Sequence, residues 1–274
     1  MRTMARMSIQ TLGRLAQLGH LARLSQLRRL PRLAAPMALA ASIACTSGVA
    51  HAEGAMPLPF GPVGADAQAP WHVSGLPQQT KPYTKFSVVD LDGRRAVRVE
   101  ATESYGNLVH PLKLDAPHAT LSWRWRVDEL LDADDLRKRG GDDTALKVCV
   151  SFDLALDKVP FLERQLLRVA RGKTDEPVPA ATVCYVWDAH LAIGTTLDNA
   201  FTRRIRYVVL QSGTAHLRNW VDEKRDVGAD FITLFGAESS EVPTIIGVLV
   251  GADSDNTHGH SLAYAADLKI EPAP

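Results

Sequence analysis

The chain has 274 residues, 46% of them hydrophobic and 23% charged, with 31 basic residues balancing 31 acidic ones. That apolar content supports a packed core, and the balance excludes a chain kept unfolded by its own charge. The balance is uneven, however. Residues 1–52 hold seven Arg and no acidic residue, so 24 basic residues face 31 acidic ones in the remainder. A net charge near −7 there counts against nucleic acid and anionic membranes as partners.

The basic stretch runs into the uncharged, largely apolar segment Ala34–Cys45 and ends Ala50–His51–Ala52. A basic region, a short apolar region and an A-x-A site form a secretory signal. The expectation is cleavage before Glu53 and a periplasmic or secreted protein. Lipid attachment at Cys45 fits less well, because Ser42–Ile43–Ala44 lacks the expected upstream Leu. The longest later apolar run, Ile245–Val250, has the length of a strand, so no transmembrane segment is expected in the mature chain.

Residues 53–82, rich in Pro, Gly and Ala, read as a flexible lead-in ordered in part by Trp71, and residues 83–274 as one domain. Residues 86–90 and 96–100 alternate around Asp92–Gly93, a hairpin signal. Residues 107–114 read as extended. In residues 119–127, Leu121, Trp123, Trp125 and Val127 share one face, and Arg124 and Arg126 the other. The first face reads as core. The second is a solvated sheet face or a surface that reads carboxylates and sugar hydroxyls.

Further strands are expected at 144–153, 182–188, 203–210, 244–250 and 261–270, the last with Leu262, Tyr264, Ala266, Leu268 and Ile270 on one face. Pro160–Arg171 reads as a helix with Leu162, Leu166 and Val169 as its stripe and Gly172 as its stop, and 229–235 as a second short helix. Many strands and one or two short helices point to an all-β fold. The expected form is an antiparallel β-sandwich of the jelly-roll, carbohydrate-module-like kind. Cys149 and Cys184 each sit within a strand, and pairing or burial as free thiols both fit.

No G-x-S-x-G, H-E-x-x-H, phosphate-loop or dinucleotide motif occurs. The candidate ligand contacts are Arg124, Arg126, Asp142, Asp143, Trp220 and Asp226. Asp142–Asp143 follows Gly140–Gly141 and reads either as a loop brace or as acid/base carboxylates. Trp220 lies among polar residues and is the aromatic best placed for a ligand surface. Asp253, Asp255 and Asn256 space oxygens as a Ca²⁺ loop does, but the twelfth position is Tyr264, not Glu. An Asx-rich turn competes with that reading, and no other cofactor is expected.

The order Leu121–Trp125, Asp142–Asp143, Val150–Asp153, Tyr185–Trp187, Trp220, Arg225–Val227, Asp230–Phe231 and Asp253–Thr257 resembles domain-of-unknown-function family 3047, a group of exported bacterial proteins. The resemblance spans Trp71 to Ile270 and implies no activity and no catalytic residue. The reading is an exported sandwich that binds a glycan or another polar envelope component without catalysis. A glycan-active enzyme using a carboxylate pair that includes Asp143 and Asp153, or an envelope assembly protein, are the alternatives.

Overall fold

The computed structural model describes residues 56–273. The secretory signal read from residues 1–52 lies outside the described residues. Two sheets pack face to face. The strands are β1 (Met56–Pro57), β2 (His72–Ser74), β3 (Lys85–Leu91), β4 (Arg94–Thr102), β5 (Tyr105–Leu114), β6 (Ala119–Glu129) and β7 (Thr144–Phe152). They continue as β8 (Ala181–Asp188), β9 (Thr196–Asp198), β10 (Ile205–Ser212), β11 (Val221–Asp226), β12 (Ile245–Asp253) and β13 (His260–Pro272). Helix α1 (Phe161–Arg171) follows β7, and α2 (Val227–Phe235) follows β11.

One sheet has six strands, ordered β11-β6-β13-β4-β3 with β1 beside β13; the other has seven, ordered β2-β5-β12-β7-β8-β10-β9. Strands β4, β5, β6 and β7 alternate between the sheets, as do β10 to β13, which gives the β-sandwich its jelly-roll character. The pairing is not wholly antiparallel: β10 runs parallel to β8, because the connection between them first lays β9 against β10 as an edge strand.

Alternation builds the core. Leu121, Trp123, Trp125 and Val127 point inward from β6, against Leu146, Val148, Val150 and Phe152 of β7. Trp125 meets Trp123 edge-on at 5.5 Å and Trp187 at 5.9 Å, and Trp123 meets Tyr185 at 5.2 Å. Ala265 pairs with Trp125 across β13, and its small side chain leaves the indole its space. At Asp92–Gly93 both residues take positive φ (57° and 73°), the backbone that the β3–β4 hairpin requires.

Two expectations are corrected, and one is sharpened. Within residues 56–82 Trp71 is buried as expected, and Leu58 and Phe60 join it in the main core, while β1 pairs with β13 and β2 with β5. In β13 the five alternating residues do not share a face. A bulge at Asp267 (φ 53°) shifts the register, so Leu262, Tyr264 and Ala266 lie in an outer cluster while Leu268 and Ile270 enter the core. In α1 the Leu162–Leu166–Val169 stripe faces solvent, and Leu167 is the residue that goes inside.

Candidate functional site: a cleft on the seven-stranded sheet

In β7 the inward residues are apolar, and Lys147, Cys149 and Ser151 point to the other side. Their neighbours in β8 are Val186, Cys184 and Thr182, and in β12 Gly251, Leu249 and Gly247. This outer face is roofed at its sides by α1, by residues 174–179, and by the 199–202 and 253–256 loops. It forms a cleft of about 630 Å³. Leu167, Val178, Pro179, Leu249 and Ile205 make much of its wall.

The polar end of the cleft is held together by an ion pair. Lys147 Nζ lies 2.9 Å from Asp253 Oδ2, and both side chains are about 95% buried, with 6% and 5% exposure. Burial works against the ammonium, but Asp253, Tyr105 and Asp142 together outweigh it and hold the Lys147 pKa above its ordinary value. Asp253 also accepts from the Thr144 amide at 2.9 Å and from its hydroxyl. Lys147 lies 5.0 Å from the centre of the Tyr105 ring, whose hydroxyl accepts from Asn107 Nδ2 at 3.1 Å. Gly251 makes this packing fit: a Cβ there would meet Asn107 Oδ1 at 2.2 Å.

Asp142 enters the same space from the loop before β7. Its carboxyl accepts from Asn199 Nδ2 and, at 3.4 Å, from the Tyr207 hydroxyl. Burial, and then the nearby Asp253 carboxylate, push its pKa up to about 7. Burial raises the Asp255 carboxyl as well, with Asp143 and Asp253 adding to it. Among the described residues, Asn107 Oδ1 and Asp255 Oδ1 are buried without a hydrogen-bond partner. Beneath them the Cys149–Cys184 disulfide joins two residues directly opposite in β7 and β8.

The sequence candidates divide between distant places. Asp142, Asp253, Asp255 and Asn256 line the cleft. Asp143 is fully buried and engaged, accepting from the Asn256 amide and side chain and from the Thr257 amide and hydroxyl at 2.6–3.2 Å. It braces the 254–257 loop. Asp253 already has the Lys147 ammonium as its counter-charge, and no group of three or more His, Cys, Asp or Glu among the described residues is arranged to hold a metal ion.

Arg124 and Arg126 lie on the outer face of the other sheet, paired with Asp222 and with Asp128 and Asp92. Trp220 packs there against the Ala96–Tyr264–Ala266 cluster, under Arg94. Asp226 caps α2, accepting from the Ala229 amide at 2.9 Å. The six expected contacts therefore do not converge. Nor do Asp143 and Asp153, which flank opposite ends of β7 and stand roughly 30 Å apart. Lys147, Tyr105, Asn107, Asn199 and Tyr207 were not among the candidates. A Lys within the otherwise apolar Leu146–Val150 run was the available signal.

The class defined by this geometry is a β-sandwich with a charged, covered cleft on one outer face. The chain belongs to a family described as protein of unknown function (DUF3047), whose model matches residues 69–269. No curated protein matches it. Among solved structures it is similar to the xyloglucanase domain of NopAA, a type three effector from Sinorhizobium fredii, in complex with cellobiose. That match has 7% identity, covers 79% of this chain and 100% of that one, and has a TM-score of 0.41. It is also similar to TmCBM61 in complex with beta-1,4-galactotriose (11% identity, 75% and 90% coverage, TM-score 0.33) and to the endo-1,4-beta-glucanase CelB2 (13%, 80% and 97%, 0.36). At these scores the likenesses carry no argument about what this chain binds.

Proposed function

We propose that the protein binds a small, uncharged, hydroxyl-rich ligand, an oligosaccharide, in the cleft, without cleaving it. The observation that carries this reading is the pair of buried acceptors without partners, Asn107 Oδ1 and Asp255 Oδ1. A buried acceptor left unpaired is costly, and ligand hydroxyls would satisfy both. The Lys147–Asp253 pair cancels its own charge and Asp142, with a pKa of about 7, is about half protonated at neutral pH, so the cleft carries little net charge to recruit a charged ligand. Apolar walls suit the C–H faces of a sugar ring. The disulfide supports an oxidising compartment, in keeping with export through the leader.

The test is calorimetric titration of a panel of neutral and envelope-derived glycans, with product analysis of each mixture. Binding without new reducing ends is expected, and Asn107→Ala and Asp255→Ala should each weaken it roughly tenfold while leaving unfolding unchanged. No binding to any glycan, or binding indifferent to both substitutions, would overturn the reading. One observation favours a second reading. A buried carboxyl with a pKa near 7 beside other carboxylates is a suitable general acid, which makes Asp142 the candidate for glycoside cleavage. Product release that Asp142→Asn abolishes, with binding retained, would establish that enzyme.

A further inference from the structure

Helix α1 has its apolar face on the wrong side for a helix of a globular core. Phe161 and Leu162 are each 69% exposed, Leu166 55% and Val169 57%, and Leu167 is the residue turned inward. A surface helix ordinarily buries such a stripe. A contiguous exposed patch of this kind marks a contact surface. Phe201, also half exposed, extends it, and Leu166 and Phe201 at the same time line the cleft, so the patch borders the cleft's mouth. Thr202 Oγ1 sits 3.5 Å from Glu163 Oε2 of α1, and the Arg139 guanidinium lies 5.3 Å from the Phe201 ring centre.

The charges beside the stripe identify the partner. Arg168 donates to Gln165 within the helix and Arg171 to the Val178 carbonyl; with Lys173 they form a basic edge that no carboxylate pairs among the described residues. Nearby Arg203, Arg204 and Arg206 are all paired with Asp or Glu. We infer that α1 seats the protein on an anionic lipid surface, with Phe161, Leu162, Leu166 and Val169 entering the headgroup–acyl boundary and the basic edge meeting lipid phosphates. A second copy is a poorer occupant, because a two-fold pairing of α1 with α1 sets the same cations of both copies along one seam. The remainder of the chain beyond residue 52 is acidic overall, and Asp175 and Glu176 are exposed just past Lys173, with Glu176 3.3 Å from His72 Nε2; on the helix itself the edge is Arg168 and Arg171, and headgroups meet that local sign, not the net one. This inference does not rest on the glycan reading.

The experiment is co-pelleting of the full chain with vesicles of phosphatidylglycerol and phosphatidylcholine in equal parts, and with phosphatidylcholine alone. Amide hydrogen exchange over residues 161–171 locates the contact. Binding to the anionic vesicles with protection of α1 is expected. The Leu162→Asp/Leu166→Asp double variant should bind roughly tenfold more weakly. Both positions are exposed, so its thermal unfolding should match the parent's. Arg168→Glu/Arg171→Glu should remove the salt-sensitive part of binding. Pelleting unchanged in the Leu variant with no protection of α1 would assign binding to another segment and overturn the inference. So would failure to bind either vesicle, whether the protein is monomeric or forms a dimer that the Leu variant splits.

Discussion

On the outer face of the six-stranded sheet, Arg124 pairs with Asp222 and Arg126 with Asp128 and Asp92, within reach of water. On the outer face of the seven-stranded sheet, Lys147 and Asp253 pair under cover. On the first face the Arg98 guanidinium holds the Glu100 carboxyl down at about 2. On the second, burial pushes the Asp142 carboxyl up to about 7. The same residue types thus settle their charges in one place and keep them in tension in the other. The physical difference is desolvation, which α1 and the flanking loops impose on one face alone. A site is marked by charge that the fold has covered, more than by charge that the sequence displays.

The largest expected effect tests that cover. Lys147→Met leaves the Asp253 carboxylate buried without its partner, and should destabilise the fold by about 3–5 kcal/mol. Removing both partners, in Lys147→Met/Asp253→Leu, should cost much less, since no unpaired charge remains. Urea unfolding of the two variants decides it, and equal losses in both would show that packing, not charge, is at stake. Core aromatics give losses of similar size. Trp125→Ala, at a fully buried position among Trp123 and Trp187, should cost about 3–5 kcal/mol. Trp220→Ala, on the open outer face, should cost clearly less. Comparable unfolding midpoints for the two would erase the distinction between core and outer face.

The sandwich was legible because alternation is local: residues 119–127 show both faces of β6 in the sequence itself, and Asp92–Gly93 shows its hairpin. The cleft was not, because it is assembled across strands. Lys147, Asp253, Asn107 and Asn199 come from three strands and a loop spread over more than 140 positions, and no spacing rule links them. Asp142 was noticed for its neighbour Asp143 and its Gly-rich turn, yet the two carboxyls part ways: one enters the cleft and the other braces a loop. The α1 stripe misled for a related reason. Helical periodicity shows that a face is apolar, and not whether the face points at the core or at a partner. The bulge at Asp267 hid likewise, since one inserted residue reverses alternation without changing composition.

A smaller effect follows from pH. The Asp142 carboxyl titrates near 7 when folded and near 3.8 when solvated. Between about pH 4 and 7 the unfolded chain therefore gives up its proton while the folded protein keeps it, so stability falls as pH rises through that window. Asp142→Asn removes the titration. Burial and Asp188 also raise Asp134 to about 7, so the variant-minus-parent difference is the quantity to read. That difference should move in the variant's favour by about 2 kcal/mol between roughly pH 5 and pH 8. A difference independent of pH would mean that Asp142 is not covered, and the contrast between the two faces would lose its cause.

The smallest expected effect belongs to the face the sequence made most conspicuous. Arg124 is 37% exposed and its partner Asp222 is 68% exposed, so their attraction is screened by water and offset by the entropy of holding two long side chains together. Arg124→Ala should leave the unfolding midpoint in urea within error of the parent's. It should also leave glycan binding unchanged, because Arg124 projects from the six-stranded sheet while the cleft opens on the seven-stranded one. Arg126 is better covered, at 15%, and is held by two carboxylates, so Arg126→Ala should show a small but measurable loss of stability and again no loss of binding. Calorimetric titration of both variants beside Asn107→Ala separates the faces directly. If an Arg variant loses affinity and Asn107→Ala does not, the ligand sits on the open face after all, where the Arg124–Asp222 and Arg126–Asp128 pairs would have to part to receive it.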